Sequence, residues 1–294
     1  MYGGFTVKKD IVYATAGGKS LTLDLYAPNN AVRAVPIIVY IHGGGWRALD
    51  KSWCPYPMRL LEQEYAVASI NYRLLQEGGA FPANLHDCKA AVRWVRAHAA
   101  EHGLDGDHIG VWGDSAGAHL AALVGLTGDI AALEGDIGLT GVSSGVQAVC
   151  AYFGALDLCS LVGPDTGVNP LTSLMCALIG EPSLAQNVDK LKAASPITYV
   201  SADAPPFLVL HGDVDTIVPV SQSVLFYEAL WKAGADVRLH IVHGGDHLDY
   251  RRSPTDLPWH AAEVRDLEDA FFYRTLKGHE RAQPQSQDEE ARGN

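Results

Sequence analysis

The stretch His108-Ile109-Gly110-Val111-Trp112-Gly113-Asp114-Ser115-Ala116-Gly117, continuing through the alanine-rich segment to Leu126, reads as a strand, a sharp turn and a helix. Ser115 stands at the apex. The flanking glycines fit such a turn, because a residue there is forced into a strained backbone conformation and bulky neighbours would keep strand and helix apart. Ser115 is therefore a candidate nucleophile. A five-residue pattern also describes an ordinary glycine-bounded loop with a solvated serine, so partners elsewhere in the chain must decide.

The run Val35-Pro36-Ile37-Ile38-Val39-Tyr40-Ile41 is short, apolar and rich in β-branched residues, as expected of a strand buried on both faces. It ends in His42-Gly43-Gly44-Gly45-Trp46. Glycines at the end of a buried strand leave main-chain N–H groups open to a cleft, so those of Gly44 and Gly45, with that of Ala116, are candidate donors to an oxyanion. Losing one such donor typically costs about 100- to 1,000-fold in rate. The same loop can be read as a plain turn or as a phosphate cradle, but the chain has no GxxxxGK[ST] and no GxGxxG that opens a helix after the strand. Trp46 is read two ways, as a substrate-binding wall of the cleft or as an anchor of the loop in the core.

Another buried strand, starting at Phe207, runs into His211-Gly212-Asp213-Val214-Asp215, and Val237 to Val242, which alternates like a strand, leads into Gly244-Gly245-Asp246-His247. Asp213 lies beside the glycine turn, where it caps the loop backbone, whereas Asp215 lies far enough out to reach the next loop. Asp215 is the choice. His247 is the candidate general base, with His243 as runner-up and His240 as a sheet residue. The histidines lack the cysteine or carboxylate companions of a familiar zinc site, so no metal is expected. The chain order Ser115, Asp215, His247 is that of the α/β-hydrolase fold and differs from the orders in chymotrypsin-like and subtilisin-like proteases. Asp114 is expected to support local hydrogen bonding, and His119 to pack one helical turn along without taking part in chemistry.

At 294 residues and 48% hydrophobic, the chain is long enough for a large core. Phe5 to Tyr13 and Leu21 to Tyr26 flank a turn at Ala16-Gly17-Gly18-Lys19 and predict an antiparallel hairpin at a sheet edge. Beyond it, strands at Ala66 to Ile70 and Val146 to Phe153 alternate with helices at Pro82 to His102, Ser221 to Ala233 and Trp259 to Leu276. The expected fold class is α/β, a mostly parallel central sheet with helices on both faces and ligands at the carboxyl ends of the strands. One domain is expected over 1–278, with 154–205 as a small lid-like insertion and 279–294 as a polar, disordered tail.

A net charge of -12 argues against a nucleic-acid partner, and the adjacent basic pairs Lys8-Lys9 and Arg251-Arg252 read as solvated surface. No apolar run approaches the roughly 20 residues that span a bilayer. The first residues carry no cationic start followed by an apolar stretch. A cytoplasmic protein without a membrane partner is expected, with a removed secretion signal left open. Five widely spaced cysteines without a CxxC read as reduced packing residues, with a Cys150 to Cys159 bridge unsupported.

The motifs His42 to Trp46, Asn71-Tyr72-Arg73-Leu74, Gly113 to Ala121, Ser195 to Val200, Pro205-Pro206-Phe207, His211 to Asp215 and Asp246-His247 together resemble those of α/β-hydrolase esterases. The chain resembles most the feruloyl-esterase-like family called BD-FAE, within the neighbourhood of bacterial hormone-sensitive-lipase-like esterases, from about Val7 to Leu276. The resemblance implies a serine carboxylesterase acting without a cofactor through Ser115, Asp215 and His247, with oxyanion donors at Gly44, Gly45 and Ala116. Its substrate would be a small-molecule ester of a short or aromatic acyl group, an acylated carbohydrate among them, and a homodimer is left open. Two departures from the hormone-sensitive-lipase-like pattern stand out: Ala118 where those proteins usually have a second glycine, and a hairpin where they carry an amino-terminal helical cap. Kynurenine formamidases share the HGGxW-type loop, which makes an aryl formamide the alternative substrate. A catalytically silent α/β-hydrolase used as a binding module is the alternative from another class. Prolyl-oligopeptidase relatives share the later motifs but add a propeller that this length does not hold.

Overall fold

The computed structural model describes residues 4–29, 31–55, 57–162, 170–249 and 258–278, so the expected tail at 279–294 and the Arg251-Arg252 pair lie outside the described residues. Strand β1 (Phe5–Ala16) and β2 (Lys19–Pro28) pair antiparallel as the expected edge hairpin. Next come β3 (Val35–Ile41), β4 (Ala66–Ile70), β5 (Leu104–Asp114), β6 (Ala148–Tyr152), β7 (Phe207–Gly212) and β8 (Val237–Val242). They form one eight-stranded sheet in the order β1-β2-β4-β3-β5-β6-β7-β8, parallel from β4 to β8. Because the chain steps from β3 to β4 on one side and then to β5 on the other, winding reverses at β3. In open α/β sheets that reversal opens a crevice at the carboxyl ends of the strands.

Side chains alternate across a strand, and here both sides are buried. Ile37, Val39 and Ile41 of β3 join a core with α2 (Ala83–His98), α3 (Ala116–Leu126) and α6 (Ser221–Ala233), to which α4 (Pro170–Ile179) and α5 (Val188–Ala194) add Met175 and Leu191. Ile38 and Tyr40 join the opposite core with Leu60 of α1 (Pro57–Glu62) and Phe271 and Phe272 of α7 (Ala262–Phe272). Each fully buried side chain of this kind contributes roughly 1.5–3 kcal/mol. A continuous apolar run such as Val35–Ile41 is thus explained by two cores, one on each face.

The differences from expectation are local. Helix α1 is a six-residue segment too short to show a helical repeat in sequence. The helix expected to reach His102 ends at His98 and is followed by a 3-10 turn, after which Gly103 takes φ 67°. The last helix begins at Ala262 and ends in a π turn over Tyr273–Lys277. All five cysteines are free. Among the described residues no helix is long and apolar enough to cross a membrane.

Candidate active site

Ser115 occupies the bend between the end of β5 and the start of α3, with φ 55° and ψ -120°. Few residues other than glycine adopt such angles, and they persist only where the surroundings over-determine them. Here the Ser115 N–H donates to the Tyr152 carbonyl at 2.8 Å, which ties the turn to β6. A Cβ at position 117 would stand 2.0 Å from the Ile41 carbonyl oxygen, so only glycine lets α3 start this close to β3. Asp114, buried beneath the turn, accepts from the Tyr40 hydroxyl.

The loops after β7 and β8 bring the other two residues to the serine. His247 Nε2 lies 2.9 Å from Ser115 Oγ and its Nδ1 2.7 Å from Asp215 Oδ2. The imidazole is 8% exposed and rests against the Phe153 ring, with centroids 4.6 Å apart. Asp215 is crowded with donors: Oδ1 accepts from the Ile217 and Val218 amides at 2.9 and 2.8 Å, and Oδ2 also faces Nε2 of the fully buried His211 at 3.3 Å. Burial works to raise its pKa, but the hydrogen bonds from His211, His247 and the Ile217 amide outweigh that and hold the carboxyl well below the usual range. His211 Nε2 is also 2.9 Å from the Val218 carbonyl, so it faces two acceptors and must carry the hydrogen, leaving Nδ1 to accept from Ser223 Oγ at 2.7 Å. Asp246 joins the two loops by accepting from the Thr216 N–H and hydroxyl and the His247 N–H.

The competing residues go elsewhere. Asp213 accepts from the Gly244 amide and pairs with His243 at 2.8 Å, at the surface, and His240 sits within β8 opposite Leu210. Sequence reasoning missed His211, Phe153 and Asp246, whose contacts arise only when the ends of β6, β7 and β8 are side by side. Phe153 leaves a trace only in the structure, a φ of 41° in a residue that is not glycine.

The glycine loop after β3 turns at Gly44, where φ is 98° and a Cβ would meet the Ala48 carbonyl oxygen at 2.2 Å. The Arg47 and Ala48 amides both donate to the Gly44 carbonyl. The N–H groups of Gly44, Gly45 and Ala116 take no part in these loop hydrogen bonds, and all three residues border the same cavity as Ser115 and His247. Trp46 also borders it but is 2% exposed, and its indole N–H donates to His119 Nδ1 at 3.3 Å. His119 Nε2 in turn donates to the Ala194 carbonyl at 2.7 Å, so Trp46 pins the loop to α3.

That anchor is pH-sensitive. Burial pushes the His119 pKa down to about 4, since its charged form would lose hydration, against a smaller opposing effect from the Ala194 carbonyl. A base with a folded pKa below its unfolded value of about 6.5 binds more protons when unfolded. Its neutral form is therefore fully accommodated above pH about 6.5, and stability falls by up to roughly 1.4 kcal/mol per pH unit as the pH drops toward the folded value. Urea unfolding at pH 7.5 and pH 5 should show a steeper loss in the wild type than in His119→Gln, which keeps an acceptor and a donor but does not titrate. Equal losses would show that His119 is not the source.

The cavity has a volume of about 380 Å³. Its walls are apolar, with Leu49, Phe153, Ile217 and Leu248 joined by Leu171 and Leu174 from α4, one of the helices in the expected lid. Geometrically, His247 is placed to take a proton from Ser115 Oγ while Asp215 holds the opposite nitrogen, and nearby amides can receive negative charge on a carbonyl oxygen.

Comparison with known proteins follows the same lines. The BD-FAE family model matches residues 23–230. Esterase LipQ of Mycobacterium tuberculosis is 37% identical over 230 residues, covering 77% of this chain and 53% of LipQ. The chain spans about half the length of the curated relatives it matches. Among solved structures, a truncated carbohydrate esterase from gut microbiota is similar at 30% identity and a TM-score of 0.81, over 92% of this chain and 96% of that one. Esterase Est2 of Thermogutta terrifontis with propionate bound is similar at 28% identity and a TM-score of 0.73, over 92% of this chain and 94% of that one.

Proposed function

Since the chain belongs to the BD-FAE family, we propose that it is a carboxylic ester hydrolase that works through an acyl-enzyme on Ser115. The observation that carries this reading is the single imidazole of His247, hydrogen-bonded to Ser115 Oγ on one side and Asp215 on the other. In the first step His247 Nε2 accepts the Ser115 proton as Oγ attacks the ester carbonyl. The oxyanion is received by the Gly44, Gly45 and Ala116 amides, and His247 then gives its proton to the departing alcohol. In the second step His247 draws a proton from the water that attacks the acyl-serine, and returns it to Ser115 Oγ as the C–Oγ bond breaks and the acid is released. No step requires a metal or organic cofactor.

A short acyl group suits the apolar cavity, whose volume is at the low end of the roughly 300–1,000 Å³ found for small-molecule sites. The propionate held by the similar Est2 and the likeness to a carbohydrate esterase support a short-chain ester, acylated carbohydrates included. The test is a 4-nitrophenyl ester series with acetylated xylan and N-formylkynurenine alongside. Acetate to butyrate should be turned over best, with a steep fall in kcat/KM for octanoate and longer. Preferential cleavage of the formamide, or no turnover of any ester, would contradict the reading.

A further inference from the structure

Among the described residues bordering the cavity beside Ser115, Arg47 is the lone arginine or lysine. It follows Trp46 in the glycine loop and its backbone is held from both sides: its N–H donates to the Gly44 carbonyl, and its own carbonyl accepts from Gln76 Nε2 at 3.0 Å. The side chain is exposed at the mouth. Lys19, Lys51, Arg59, Arg73, Arg93 and Arg274 each hold a carboxylate. Among the described residues, no carboxylate lies within ion-pair distance of Arg47. A cation is thus placed at the mouth of a largely apolar cavity by the loop that presents the Gly44 and Gly45 amides.

We infer, on the esterase reading, that Arg47 is an anion subsite and that the preferred substrates are esters bearing a carboxylate close to the scissile carbonyl. A guanidinium offers a carboxylate two parallel hydrogen bonds and a charge that is kept at every working pH. The net charge of -12 gives anions no long-range pull toward this molecule. Selection for them has to come from a contact of this local kind. The carboxylate can sit on the acyl or on the alcohol portion, since both pass the loop on their way to the cavity.

Two matched substrate pairs separate these cases. For the alcohol portion, 4-carboxyphenyl acetate is compared with 4-carbamoylphenyl acetate; for the acyl portion, the 4-nitrophenyl monoester of succinate is compared with its methyl ester. The quantity read is kcat/KM for the anionic ester divided by that for its neutral partner, so general damage to the enzyme cancels. In at least one pair this ratio should fall about five- to tenfold, mainly through KM, in both Arg47→Ala and Arg47→Gln. Arg47→Lys should recover much of it. The second arm is calorimetric binding of 4-carboxyphenyl acetate and its carbamoyl partner to Ser115→Ala, with and without Arg47→Ala. Arg47-dependent preference for the carboxylate in that arm supports the subsite even if no ester were turned over, an outcome that would count against the esterase reading alone. Ratios and affinities indifferent to Arg47 in every pair would overturn the subsite.

Discussion

Ser115→Ala is expected to lower kcat for 4-nitrophenyl acetate by about a millionfold, to the level left by the amides and the cavity alone. The expectation follows from the covalent step: without Oγ there is no acyl-enzyme, and water would have to attack directly at a site shaped around a serine. Substrate binding should change little, because the cavity walls do not include the missing oxygen except at one point. Stability should also change little. The strained φ of 55° is kept by alanine, and the hydrogen bond lost is the one to His247. A variant that retained more than a few per cent of the wild-type rate would place the nucleophile elsewhere.

Asp215→Asn should cost about ten-thousandfold in kcat, the loss seen when the orienting aspartate of a serine protease is replaced in the same way. The local hydrogen bonds show why a change of one atom would do so much. The Ile217 and Val218 amides both donate to Oδ1, so the asparagine must keep its oxygen there and turn its NH2 toward His247 and His211. Both imidazoles presently offer an N–H at that place. To avoid a donor facing a donor, His247 would move its hydrogen from Nδ1 to Nε2, and Nε2 could then no longer take the Ser115 proton. The wild-type carboxylate has no such difficulty. Held well below its usual pKa, it stays charged down to pH values far beneath the about 3.9 of the unfolded chain, so its contribution to stability is present above that value and lost only in strong acid. A kcat reduced less than tenfold in Asp215→Asn, with the fold intact, would mean that Asp215 does not orient the base.

The fold and the three meeting side chains were legible because each is written in chemistry that few other residues supply. A strand buried on both faces has to read as Val35–Ile41 does, and the bend at Ser115 has to be flanked by residues without side-chain bulk. Asp215 is the carboxylate that meets His247, but reach alone does not separate it from Asp213, which also crosses to the loop after β8 and ends on the Gly244 amide and His243 at the surface. The supporting contacts were not legible. His211 is a strand residue in sequence, and nothing in its neighbours tells that a turn of seven residues returns the Val218 carbonyl and Asp215 to its Nε2. Trp46 could be read equally as cleft or anchor until α3 placed His119 against its indole. Such pairings depend on the distance between adjacent strand ends, which a linear pattern does not encode.

The central claim is that one serine hydroxyl, activated by one imidazole, does the chemistry. A fluorophosphonate reacts with such a hydroxyl and marks it permanently, so peptide mass spectrometry after brief labelling reads the claim directly. One adduct is predicted, on the peptide containing Ser115, absent from Ser115→Ala and formed far more slowly in His247→Ala. An adduct on another residue, or labelling of Ser115 at an undiminished rate when His247 is gone, would contradict it.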